Sequence, residues 1–229
     1  MSASTNARRG LTLADAAREF WRHPSPWLFV IALTAAVVAR IMIGDWQIGD
    51  AVVPFAIAAA FPFLEWTIHV FVLHWRPRRL GRVTLDPLLA RKHREHHIAP
   101  RDVDLVFIPL QSAIGAVVAA VAIALVLFPR TGMGLTFLVV MLTCGVAYEW
   151  CHYLVHTDYK PKTVVYRVIW RDHRLHHFKN EHYWFGVTTP GTADRVMRTY
   201  PDPATMPASP TAKNLHAMGD TKSAGAVRR

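Results

Sequence analysis

The chain has 229 residues, 52% of them hydrophobic, and a formal charge of +10. Its length would suit one or two soluble domains, but the apolar residues gather into four runs, near 27–43, 51–73, 105–128 and 133–155, each close to the length that crosses a bilayer. The positive charge is not laid out as a nucleic-acid recognition element: every Lys and Arg except Arg40 and Arg130 falls in residues 1–26, 74–104 or 157–229, which is a topology signal that puts both termini and the middle segment of a four-span protein on the cytoplasmic side.

Taken in order, residues 1–10 carry no pattern and are expected to be disordered. Residues 11–23 suit a short amphipathic helix with Leu13, Ala17, Phe20 and Trp21 near one face, lying at the membrane interface. Pro24 and Pro26 turn the chain into the first span, and the polar stretch before them lacks the cleavage site of a signal peptide. Arg40 interrupts that span late, either snorkelling or marking its end. An acidic outer loop, Gly44 to Asp50, leads to a second span in which Pro62 is a candidate kink. Residues 76–104 read as a loop and then a helix from Asp86 to Ile98, with Asp86 as N-cap, Pro87 in the first turn and Pro100 as the stop. Two further spans follow, joined by a turn at Pro129–Gly132. Cys144 and Cys151 both fall in the last span, which argues against a structural disulfide. A helix is expected within 161–180, a loop over Phe185–Gly191 that could close over a site, and a short helix from Ala193 to Thr199. From Pro201 the composition predicts a disordered tail.

The histidines organise this framework. Ten of the thirteen fall in four groups: His69 and His74; His93, His96 and His97; His152 and His156; His173, His176 and His177. Each pair ends an apolar run and each His-x-x-His-His triplet lies in the basic segment after it. Neutral imidazole is a good ligand for iron or zinc, and helix positions three or four apart share a face. His152 and His156 can therefore address one metal, as can His173 with His176 or His177, and His93 with His96 or His97. His69 and His74 are five apart, about 140° around an ideal helix, so they converge only if the helix ends between them or they serve different metals. Ten ligands exceed what one ion takes and suit two. The recurrence, with Glu65-Trp66 before His69 and Glu149-Trp150 before His152, suggests a weak internal repeat.

Glu65 and Glu149 share a helix face with histidines. The preferred reading is that each accepts the proton on a ligand's other ring nitrogen; direct ligation or a carboxylate facing water are the alternatives. His182 could be an eleventh ligand, a neighbour of the ligands or a surface residue, while His23 and His216 are expected to bind nothing. Tyr153, Tyr183 and Trp184 could line a lipid path or anchor the protein at the interface. A dimetal site at the lipid boundary points to a lipid substrate. Iron with O2 would attack an unactivated C–H bond, whereas zinc would suggest hydrolysis; the ligand type alone does not separate them.

The motifs His69-x4-His74, His93-x2-His96-His97, His152-x3-His156 and His173-x2-His176-His177 resemble those of the membrane-bound fatty acid hydroxylase and sterol desaturase superfamily. The likeness covers roughly residues 50–200. It is nearest to the fatty acid 2-hydroxylases, which also continue from the last triplet into a Phe-Gly-Val/Ile-Ser/Thr stretch, here Phe185-Gly186-Val187-Thr188. The resemblance implies an all-α integral membrane protein with four transmembrane helices and a cytoplasmic histidine-rich helical cap over a dimetal site. It implies two iron ions held by the ten clustered histidines, with zinc an alternative occupant of a purified form. It also implies O2-dependent hydroxylation of a lipid acyl chain, with no catalytic residues apart from the metal ligands. No fused cytochrome b5 domain fits within residues 1–26, so the two electrons must come from a separate donor, a ferredoxin or cytochrome with its reductase. The expected divisions are a cytoplasmic segment 1–26, a four-span hydroxylase domain 27–200 and a tail 201–229. A sterol or carotenoid hydroxylase or desaturase would use the same site; a metal-binding membrane protein without catalysis is the reading of another class.

Overall fold

The computed structural model describes residues 11–217; the disorder expected of residues 1–10, and of the tail beyond 217, falls outside them. Four helices are long and apolar enough to cross a membrane: Pro24–Ile43, Ile48–Leu73, Val103–Val126 and Thr131–His156. They coincide with the four apolar runs. The protein is an all-α integral membrane protein, with one small hairpin as its only sheet among the described residues.

Helix α1, Leu13–Phe20, begins with a reciprocal cap in which Thr12 and Asp15 satisfy each other's backbone amides. Ala16 and Phe20 are buried, whereas Leu13 and Trp21 are exposed on the protein surface. The buried face docks on protein, with the Phe20 ring 5.0 Å from that of Trp150 and 5.9 Å from that of Tyr153. Helix α2, Pro24–Ile43, closes at Gly44, whose φ of +64° suits a residue without a Cβ. Arg40, in its last turn, does not snorkel. Its side chain is buried and meets Asp50 at 2.8 Å and Thr136 at 2.9 Å, with Trp46 over the guanidinium at 3.5 Å. Arg130 joins Asp45 and Asp50. The acidic loop is thus tied into an ion-pair network between spans, which satisfies charges that would otherwise be costly to bury.

Helix α3, Val52–Ile68, follows a single 3-10 turn and keeps Pro62 inside it. It ends in a π-helical turn, His69–Leu73. The strands β1, Arg78–Leu80, and β2, Val83–Leu85, pair antiparallel around Gly81, in a stretch the sequence suggested was loop. Helix α4 runs Leu88–Ile98, with Pro87 rather than Asp86 at its N-cap. Asp86 is instead held by Arg94, whose Nη2 donates to both carboxylate oxygens at 2.7 Å. Short α5, Val103–Val106, leads to α6, Leu110–Val126, and α7, Thr131–His156. α7 is the hub, packing against α2, α3, α5, α6 and α8. Gly134 permits this, since a Cβ there would stand 2.2 Å from the Ala124 carbonyl of α6.

Over the same ends of α3 and α7 sit α4, α8 (Val164–Phe178) and α9 (Thr192–Val196). Residues 201–217 contradict the expected disorder. They run back across this cap, burying Ala212 and Leu215, with Ser209 donating its amide to the Lys179 carbonyl at 2.7 Å. Composition misled because this segment is held mostly by backbone and hydroxyl contacts rather than by a hydrophobic face of its own; Ser209 and Thr211 both bond Glu181.

Candidate metal centre

The ten histidines meet as two groups of five. His69, His74, His93, His97 and His176 form the first; His96, His152, His156, His173 and His177 form the second. Within each, one nitrogen from every ring lies within 4.8 Å of the others. The groups adjoin, the His97 and His177 rings being 4.2 Å apart.

Helix geometry explains the division. In each triplet the first and last histidines are four apart and face one way, while the middle one is rotated about 100° from the last. His93 with His97, and His173 with His177, therefore serve the pair of their own half. The middle histidines cross: His96 joins the second group and His176 the first. The choices left open by spacing resolve to His97 and His177. His69 and His74 converge by a third route, neither a helix end nor separate metals. The His74 amide bonds the His69 carbonyl at 3.0 Å, five residues back, and this widened turn returns residue i+5 to the face of residue i. Such π turns recur at functional sites because they re-aim a side chain without ending the helix.

The contacts suit cations better than hydrogen bonds. His69, His97 and His176 place Nδ1 2.8–2.9 Å from the carbonyls of Phe185, Ala212 and Tyr183. With the proton on Nδ1, their Nε2 lone pairs face inward. In the second group Nε2 of His156 lies 3.1 Å from Nε2 of both His96 and His173, and His173 is 3.1 Å from His177. A neutral ring nitrogen carries one proton or one lone pair, so at most two of those three contacts can be hydrogen bonds at once. Nitrogens sharing one ion through bonds of about 2.1 Å lie roughly 3 Å apart, which is the spacing seen. Outside the spans, burial holds His74, His93, His96, His173, His176 and His177 well below the ordinary imidazole value, and His97 at about 4, so these rings are neutral at pH 7. The donor set fits a dimetal centre, consistent with two irons.

The carboxylates behave differently from expectation. Glu65 reaches no imidazole: it accepts the Val187 and Thr188 amides at 2.8 and 2.9 Å and the Thr188 hydroxyl at 2.8 Å. Asp194 of α9 clamps the same loop, joining Trp66 Nε1 at 3.0 Å and the Phe185 amide at 3.3 Å. The loop is thereby fixed with the Phe185 ring 5.3 Å from those of His69 and His176 and 5.5 Å from that of His74, covering the first group. Glu149 likewise bonds a backbone amide, that of Ile108 at 3.3 Å. These long-range pairings have no signature in the spacing.

His182 lies outside both groups, its side chain 63% exposed and 3.4 Å from Glu181. His216 bonds the His74 carbonyl at 3.0 Å, and His23 stacks on Phe107. Tyr153 and Trp184 are buried in the protein, and Tyr183 contributes its carbonyl to His176. None of these three lines the apolar cavity of about 190 Å³ between the spans; its walls include Phe29, Phe61, Leu142 and Tyr148, with Glu65 and His69 among them. Phe61 and Tyr148 were not singled out in the sequence because a helix hydrophobic all round does not reveal which face meets its neighbours.

A family model described as fatty acid hydroxylase matches residues 54–199. Among solved structures, one described as full-length scs7p with only the hydroxylase domain visible superposes with a TM-score of 0.66 at 21% identity, covering 81% of this chain and 68% of that one; at that identity the likeness concerns the fold. No curated protein sequence matches. With the model match spanning more than half the chain and enclosing all ten clustered histidines, the chain belongs to the fatty acid hydroxylase family.

Proposed function

We propose that this protein hydroxylates a lipid acyl chain with O2, the ten clustered histidines holding two iron ions. The observation that carries this reading is the apolar cavity between the spans, lined in part by His69, a member of the first group. A hydrocarbon chain in that cavity would be surrounded by apolar walls and would touch His69. Bound iron supplies the means to activate O2 towards a C–H bond. Overall, the substrate C–H, O2, two electrons and two protons become C–OH and water. The electrons come from a ferredoxin or cytochrome with its reductase.

The chain's own groups position and exclude. The Phe185, Ala212 and Tyr183 carbonyls fix the rings of His69, His97 and His176. Phe185 packs on His69, His74 and His176, and Glu65 with Asp194 holds it there. The basic segments 74–104 and 157–217, which form the cap, support a cytoplasmic placement for it and for both termini.

Lipid analysis of cells expressing the protein, beside cells expressing His173→Ala, tests this. Hydroxylated acyl chains present with the first and absent with the second are expected. A changed sterol or carotenoid with unchanged acyl chains would reassign the substrate. No change, with iron and a competent reductase present, would point to a metal-binding protein without catalysis.

A further inference from the structure

We propose that the hairpin β1–β2 is a lipid-surface anchor, seated in the anionic headgroup layer of the bilayer that holds the spans. Cross-strand partners share a face of a two-stranded sheet, so the pairings Leu80 with Val83 and Arg78 with Leu85 put three apolar side chains and one arginine on one side, and Arg79 with Thr84 on the other. The protein leaves the apolar trio open: Leu80, Val83 and Leu85 are 66%, 68% and 42% exposed, while Arg78 beside them stands 4.9 Å over the Trp75 ring. An isolated two-stranded hairpin is marginal in water and requires its apolar face to be packed. This one begins five residues after the second membrane helix ends at Leu73, so it is within reach of the bilayer surface at that end of the span.

The charge selects the same occupant. Arg78, Arg79 and Arg82 are exposed, Arg76 is exposed but bonds His216 at 3.0 Å, and no Asp or Glu occurs from His74 to Leu85. Arginine interleaved with Leu and Val, directly after a span, suits lipid phosphates above and acyl chains below. An acidic protein would satisfy the arginines but leave the apolar trio in water. The anchor also reaches the metal centre's framework. Trp75 donates Nε1 to the Leu85 carbonyl at 3.4 Å, and Arg94 of α4 bonds both the Trp75 carbonyl, at 3.1 Å, and Asp86. Leu73 and Leu89, on either side of the hairpin, both line the apolar cavity. The hairpin therefore sits where a bilayer lipid would pass from its leaflet towards the cavity. The anchoring itself does not depend on the reaction.

The test places a polarity-sensitive fluorophore on Val83→Cys in the full-length protein, with the unsubstituted protein labelled in parallel to give the Cys144 and Cys151 background. Bilayer discs of neutral lipid, and of neutral lipid with added phosphatidylglycerol, are compared with detergent. Bound metal per chain checks folding. Quenching by a lipid-borne nitroxide that is at least twofold stronger than quenching by aqueous iodide, increased by phosphatidylglycerol and reversed in a Val83→Cys chain also carrying R78Q, R79Q and R82Q, is the expected result. Iodide access as high in discs as in detergent would overturn the proposal. So would protection that appears only on adding an acidic electron carrier, or only as protein concentration rises in detergent, which would assign the surface to that partner or to a second copy.

Discussion

The two histidine groups use the same parts in unlike surroundings. Each takes a pair from a span end, two residues from its own triplet and one from the other triplet. In α7 the pair is spaced four apart on regular helix; in α3 it is spaced five apart on a π turn. The first group lies under Phe185 and touches the apolar cavity through His69. The second borders a hollow lined by Arg101, Thr157, Asp158 and its own His156. The difference shows that convergence of side chains, not a fixed spacing, is what the helix end must deliver. Only the first group reaches the apolar cavity between the spans, and its His74 also borders a polar hollow with Arg76, Glu181 and His182.

The largest expected effect comes from removing one histidine from either group. His93→Ala and His173→Ala should each lower turnover more than about 100-fold, since even supporting contacts around a metal are worth tenfold or more. Each should also lower bound metal from about two ions per chain to about one, counted by elemental analysis. Loss of both ions from either variant would show one coupled unit instead of two groups.

Glu65→Ala against Glu149→Ala separates the surroundings. The first strands the Val187 and Thr188 amides, a cost of about 1–3 kcal/mol, and frees the loop carrying Phe185. It should lower turnover roughly tenfold while both ions remain. Glu149→Ala removes the bond to Ile108 and leaves the Phe185 loop untouched, and should show the smaller loss. Equal losses would mean that the Phe185 cover is irrelevant.

Deleting Val72 should convert the π turn to an α turn, bringing the pair to the four-residue spacing of α7, with bound metal kept within about twofold. Loss of the first ion would show that the wide turn itself is required. The smallest effect is expected for Tyr153→Phe: its ring stacks on Phe107 in the aromatic core, away from the cavity. Product identity should be unchanged and turnover within about twofold. An altered product, read by lipid mass spectrometry, would put Tyr153 back on the substrate path.

Much of this protein was written locally. Four apolar runs need only length and composition to read as spans, because a bilayer demands about 20 apolar residues whatever the fold. The histidine groups were equally legible, since i to i+4 proximity is a property of any helix. Tertiary structure decided the rest. The crossing of both middle histidines to the other group depends on how α4 and α8 face each other. The convergence of His69 and His74 depends on one extra residue in a turn. Glu65 bonds a loop more than 120 residues away, and Ala212 contributes a carbonyl that any residue could supply. Residues 201–217, which look unable to fold alone, are ordered by contacts to Lys179, Glu181 and His97. Each is a pairing between distant backbone and side-chain atoms, and local sequence carries no record of a partner that only folding brings near.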